Sequence, residues 1–188
     1  MFELFATYLK EKADLTVEEL KLVEKVTVLK KLRKHQYLLQ EGDLFHYHCF
    51  IAKGCLRMYR LEADGTEHIL RFGIENWWMS DFESCNTGRP AKNNIDALED
   101  SELLLIKKED LNVLLTAIPN FRDFKEKTDA DCFDLTQNRI LSSLRDTAEE
   151  KYENFIRSYP EFYSRIPLHM IAAYLGISRK SLSRARNK

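Results

Sequence analysis

The residues whose types and spacing suit chemistry best lie at the C-terminal end. From Arg165 to Lys188 there are six Lys/Arg and no Asp or Glu, whereas the other 164 residues carry 23 basic and 30 acidic groups. The whole chain is therefore near neutral, at a formal charge of −1, while one end is cationic. Phosphate binding needs a local positive potential, not a basic chain. Arg179 and Arg184 can each offer paired N–H donors to guanine or to phosphate, and Lys180 and Ser183 can contact bases or backbone. A second candidate is His46-x-His48, two metal ligands on one face of a strand, since strand side chains alternate. The four cysteines, Cys49, Cys55, Cys85 and Cys132, form no C-x-x-C pair. They are expected to be reduced and mostly buried. No Ser/His/Asp or Cys/His catalytic set, P-loop or dinucleotide fingerprint is legible, so no enzymatic activity and no cofactor are expected.

The elements that must carry the cationic end can be read directly. Pro167 suits the first turn of a helix, where a missing N–H does no harm. Leu168, Ile171, Ala172 and Leu175 then form one apolar face at helical spacing. Gly176 is placed for the left-handed residue that stops the helix, and Ile177 can plug the turn. Ser178 is a suitable N-cap for a second helix, which buries Leu182 and Ala185. That helix presents Lys180, Ser183, Arg184 and Asn187 on another face, with Arg179 beside them. Helix, short Gly-containing turn and polar-faced helix make a helix-turn-helix. The competing reading is a helical hairpin that closes a core and leaves a solvated basic face.

The rest of the chain has an ordinary globular composition, 44% hydrophobic and 31% charged, and no apolar run approaches a membrane span. The N-terminus is broken by Glu3, Lys10, Glu11 and Lys12 and does not read as a signal peptide, which makes the cytoplasm the expected location. Thr16 and Glu19 predict a capping box, with Leu15 and Leu20 as a hydrophobic staple, for a helix over 16–26. From Val28 to about Ile106 short strand-like segments alternate with turn signals, and no helical pattern is evident between them. Cys55–Leu61 and Glu67–Phe72 around Asp64-Gly65 predict a hairpin. Helices are predicted over 108–118, from Asn120 to about Ser142, and over 148–158. The second of these carries Phe121, Phe124, Cys132, Leu135 and Ile140 on a seam broken by Thr128, Asp131 and Asn138, which describes a long connecting helix with a partner on one side.

These residues resemble the CRP/FNR superfamily of transcription regulators. Leu38–Asp43, Phe50–Gly54 and Asp64–Glu67 look like its β-roll, and Leu175–Arg184 looks like its DNA-binding element. The resemblance covers nearly the whole chain, in the family's order. It implies an α+β fold with an N-terminal antiparallel β-roll, or jelly roll, and flanking helices. A sensor domain would span residues 1–118, a long connecting dimerisation helix 119–144 and a helix-turn-helix domain 145–188. Ser178, Arg179, Lys180, Ser183 and Arg184 then stand where the family reads its operator. Double-stranded DNA with a pseudo-palindromic site, a second copy of the chain and RNA polymerase are the implied partners. The sequence ends at Lys188, directly after the second helix, so the β-hairpin wing that usually follows is expected to be missing and DNA affinity to depend more on the dimer.

The resemblance has one departure that bears on sensing. Family members that bind cyclic AMP use a Gly-Glu pair and a downstream Arg-Ser/Thr-Ala. Here Met79-Ser80 replaces the first, and Ala91 falls near the arginine position. A cyclic phosphate would lose its bidentate partner, so cyclic AMP is expected to bind weakly or not at all. The candidate pocket residues for some other effector are Trp77, Trp78, Ser80, Asp81, Arg89 and Lys92, although plain packing is the favoured role for the two tryptophans. An iron–sulfur switch would need an N-terminal cysteine cluster, and no cysteine precedes Cys49. Haem would need an axial ligand such as His68. Two other functions compete with the regulator: a cyclic-nucleotide-binding regulatory module without DNA, and a metal-dependent enzyme of the cupin type using His46 and His48. The latter lacks the following glutamate and a later strand histidine.

Overall fold

The structure is a computed structural model and describes residues 1–186; Asn187, expected on the polar face of the last helix, lies outside the described residues. The chain begins with two helices, α1 (Phe2–Ala13) and α2 (Val17–Val26). The capping box is present as read, with Thr16 Oγ1 accepting from Glu19 N and Glu19 accepting from Thr16 N. The sequence reading did not assign α1. Its Phe5, Leu9 and Ala13 pack against Phe50, Trp78 and Phe121 in one core cluster, so the charges that interrupt the N-terminus face water while one stripe is buried.

Eight strands follow: β1 (Thr27–Leu32), β2 (Tyr37–Leu39), β3 (Tyr47–Lys53), β4 (Leu56–Leu61), β5 (Glu67–Gly73), β6 (Trp78–Met79), β7 (Asn94–Ala97) and β8 (Ser101–Lys107). They form two four-stranded sheets, β1-β8-β3-β6 and β2-β7-β4-β5, with antiparallel pairing throughout. This is the expected roll. The predicted hairpin is β4–β5, with Gly65 at φ +84° and a register shift between Met58 and Tyr59. A second apolar cluster, including Ile51, Leu56, Met79, Ile95 and Leu103, fills the space between the sheets.

One expectation is corrected here. A helix does interrupt the strands: α3 (Phe82–Thr87), capped by Asp81 and stopped by Gly88 at φ +68°. Six residues are too few to display a helical period, so only the end signals could have marked it. After the roll come α4 (Lys108–Ala117), α5 (Pro119–Arg145), α6 (Ala148–Ser158), a 3₁₀ turn (Pro160–Phe162), α7 (Leu168–Leu175) and α8 (Arg179–Arg186). Pro119 sits in the first turn of α5, where its ring is harmless. The 27 residues of α5 make a rod of about 40 Å. Among the described residues no helix is long and apolar enough to cross a membrane.

Glycine is required at one turn for reasons of space. Gly54 has φ +108°, and a Cβ there would come within 2.7 Å of the Ser101 backbone. At Gly65 the same atom would meet nothing within 4 Å. Gly54→Ala should therefore lower stability by about 3 kcal/mol, from backbone strain plus a clash, and Gly65→Ala by about 1 kcal/mol. Urea unfolding of the two variants measures the difference; equal losses would show that the Ser101 contact yields freely.

Candidate nucleic-acid interface

Helices α7 and α8 each have eight residues, too few to persist alone in water. Their ends are closed as the sequence suggests. Gly176 adopts φ 64°, and Ile177 N donates back to Ala172 O at 3.0 Å. Ser178 Oγ accepts from Ser181 N at 3.0 Å, which caps α8. Ile171, Ala172 and Leu182 are buried in a third apolar cluster with Tyr59, Ile69 and Phe72 of the β4–β5 hairpin and with Tyr152, Phe155 and Phe162. Ala173, Leu175, Ile177 and Ala185 are partly buried against it. Leu168 departs from the predicted face: at 36% exposure it sits at the open end of α7.

Burying Leu182 turns the opposite face of α8 outward. Ser178, Arg179, Lys180, Ser183, Arg184 and Arg186 are all exposed. The side chains of Arg179, Lys180 and Arg184 make no hydrogen bond or ion pair among the described residues. A shallow cavity of about 300 Å³ lies beside them, lined by Leu168, His169, Arg179, Leu182, Ser183 and Arg186. The five residues expected to touch DNA are thus on one short element, and Arg186 and His169 extend the polar surface. His169 had no signal in the sequence, because its place beside Arg179 follows only from how α7 crosses α8.

Arg165 does not belong to this surface, although it opens the acid-free segment. Its guanidinium donates to Glu75 at 2.7 Å and also pairs with Glu99, both in loops of the roll. Hydrogen bonding to Glu75 comes first among the influences that hold its charge, and Glu75 is in turn held below the usual carboxylate range despite its partial burial. Arg139 of α5 acts similarly. It donates to the carbonyls of Ile69 and Tyr174, each at 2.9 Å, and its guanidinium lies 4.0 Å from the Tyr174 ring centroid. Two arginines therefore tie the last two helices to the roll and to α5.

The sensor candidates are dispersed. Trp78, 7% exposed, lies in the first core cluster against Phe5 and Phe50. Trp77 packs its ring on Tyr159 and Phe162, 5.8 and 5.7 Å away. Both tryptophans also border a cavity of about 440 Å³. Ser80 is buried and donates to Met79 O, and it borders a different cavity of about 580 Å³ between β5, α5 and α7. Asp81 is 2% exposed, and it accepts from Ser84 N at 2.9 Å and Asn93 Nδ2 at 2.8 Å. Asn93 is held in turn by Arg60. The start of α3 is thus filled by the chain's own carboxylate, and buried Ala91 offers no charge. Arg89 and Lys92 are exposed, Lys92 pairing with Glu83.

The histidine pair does not assemble. His46 is exposed, whereas His48 is half-buried, with Nδ1 3.5 Å from Ser80 Oγ and Nε2 3.7 Å from Cys85 Sγ. No group of three or more metal-ligating side chains converges among the described residues. His68, the conceivable haem ligand, is exposed on β5.

Burial, followed by the nearby Lys125 ammonium, pushes His48 down to about 4, with Asp129 opposing and Lys108 adding a little. The imidazole is neutral in the fold and protonates more readily in the unfolded chain. Its contribution is therefore complete above about pH 6.5 and is lost as pH falls through about 4, on the order of 3 kcal/mol in all. Urea titrations at pH 7.5 and 4.5 should show a smaller acid-induced loss for His48→Gln than for the wild type. An identical loss would mean that His48 does not titrate against the fold.

Comparisons place this geometry among known proteins. A family model described as the cyclic nucleotide-binding domain matches residues 29–117. No curated protein matches the chain by sequence. Among solved structures, FixK2 from Bradyrhizobium japonicum superposes with a TM-score of 0.74 at 20% identity, covering 86% of this chain and 83% of that one. The catabolite activator protein of Thermus thermophilus gives 0.57 at 21% identity, over 92% and 83%. A Eubacterium rectale protein titled as a transcriptional regulator of the CRP/FNR family gives 0.72 at 18%, over 96% and 86%. Residues 29–117 therefore resemble the cyclic nucleotide-binding domain family, and the chain as a whole shares the fold of these three solved structures.

Proposed function

We propose that the chain is a sequence-specific DNA-binding transcription regulator acting as a homodimer on a pseudo-palindromic operator. The observation that carries this reading is the exposed, acid-free face of α8, where Arg179, Lys180, Ser183 and Arg184 project while Leu182 anchors the helix. Such a helix fits a major groove about 12 Å wide with its N-terminal residues nearest the base edges. Helix α5 supports the dimer. Phe133, Ile140, Leu141 and Leu144 are 61, 53, 48 and 78% exposed in the order Phe133, Leu141, Ile140, Leu144, and they fall on one stripe at helical spacing. A second copy of α5 covers such a stripe and sets both α8 helices along one face of the duplex. RNA polymerase is the further partner of this reading.

The sensor domain works without cyclic AMP in this account. Asp81 occupies the start of α3 with negative charge, and no arginine stands at Ala91. A cyclic phosphate brought there would meet a carboxylate where it needs a guanidinium.

Two outcomes follow. Arg184→Ala should weaken binding to a selected operator by about 1–3 kcal/mol, the usual value of one bidentate base contact, with an unchanged circular dichroism spectrum. Gel shifts against operator and scrambled duplexes read this, and an unaltered preference would count against α8 as the reading helix. Cyclic AMP and cyclic GMP should leave the melting temperature unchanged at millimolar concentration. A clear rise would favour the competing cyclic-nucleotide module, because a ligand of the native state must stabilise it.

A further inference from the structure

Arg71 and Trp78 border the same space. Arg71 of β5 is half-buried, yet its guanidinium makes no hydrogen bond or ion pair among the described residues. Trp78 is 7% exposed, and its indole N–H is a buried donor without an acceptor among the described residues. Both residues line the open cavity of about 440 Å³ between α1, the turn preceding β6 and α5. A half-buried guanidinium without a partner seeks an anion.

The remaining walls of this cavity specify the rest of an occupant. Tyr8, Trp77 and Phe124 add aromatic surface, which favours a flat ring by stacked or edge contacts. Lys12 and Lys127 are exposed cations lining it, against one acid, Asp131. The volume falls in the range of small-molecule sites. None of Ser80, Asp81 or Ala91 lines it, although Arg71 and Trp78 also border the narrow space beside Ser80 and Phe82 at the start of α3. It is separate from the exposed stripe of α5: Phe124, Thr128 and Leu135 line the cavity, and 100° per residue puts them on the side opposite Phe133, Ile140 and Leu144. A second copy docked on that stripe leaves the cavity open.

We propose that this cavity binds a planar aromatic carboxylate. The carboxylate engages the Arg71 guanidinium, and the ring lies among Tyr8, Trp77 and Phe124. Occupancy bears on the last two helices through Trp77, whose ring also packs on Tyr159 and Phe162 beside them. The binding claim stands on the cavity alone; its effect on DNA rests on the regulator reading.

The test uses the full chain and 2-naphthoate as probe, with 2-naphthamide as the neutral isostere. Both of the chain's tryptophans line the cavity, so intrinsic fluorescence reports on the site alongside calorimetry. The expected result is saturable binding of one naphthoate per chain, with naphthamide about tenfold weaker or worse. Arg71→Gln should remove that preference while leaving naphthamide binding unchanged, and Arg71→Lys should restore part of it. No saturable binding, equal affinity for acid and amide, or an unchanged preference in Arg71→Gln overturns the proposal. A wild-type chain that binds naphthoate but no duplex sinks the regulator reading and leaves the site standing.

Discussion

Everything at the C-terminal end depends on one burial event. Two eight-residue helices joined by a tight turn have no stability of their own, so they exist here because Ile171, Ala172 and Leu182 are pressed into the aromatic cluster that includes Tyr59, Phe72, Phe155 and Phe162. That contact fixes which face of α8 points away. Once Leu182 is inside, 100° per residue puts Lys180 and Arg184 on the far side of α8 and Ser183 on its flank, and Arg179, about 60° from Leu182, is exposed at the open first turn. The cations are presented because the apolar residues are hidden, and no ion pair among the described residues draws them back to the protein body.

Helix α5 is the shared member of the structure. Its first turns enter the core through Phe121, and Lys125 is buried there as well, satisfied by Asp129 at i+4. Its middle supplies Arg139, which saturates carbonyls on β5 and α7 at once. Its outer face carries an apolar stripe. One rod thus touches the roll, the terminal helices and, in the proposed dimer, a second copy. Arg139 thereby links β5 and α7 directly through α5. Arg165, bridging two roll loops to the segment just before α7, adds a polar restraint that resists sliding.

What was legible in the sequence is what local chemistry decides. The Thr16–Glu19 box, the Asp64-Gly65 turn, Gly176 and Ser178 are each set by neighbours within a few positions, and each appears where it was read. The apolar period of α7 likewise marks Ile171 and Ala172 as its buried face, with Leu168 the exception. The placement of Arg165 and Arg139 was not legible. Their partners lie 66 to 90 positions away for Arg165 and 35 to 70 for Arg139, and nothing local distinguishes a tethered arginine from a solvated one. Helix α3 escaped because it is shorter than two turns. The six pocket candidates are neighbours in sequence only: Trp77 closes the turn before β6 and Trp78 opens that strand, so the two rings pack in different clusters.

The account rests on a cationic helix presented twice, once by each copy, to a single duplex. Selection of binding sites from random double-stranded DNA, followed by hydroxyl-radical footprinting of the winner, tests this directly. Two symmetric protected half-sites about one helical turn apart, on one face of the duplex, are the predicted result. Failure to enrich any sequence, or a single unsymmetrical footprint, would contradict it.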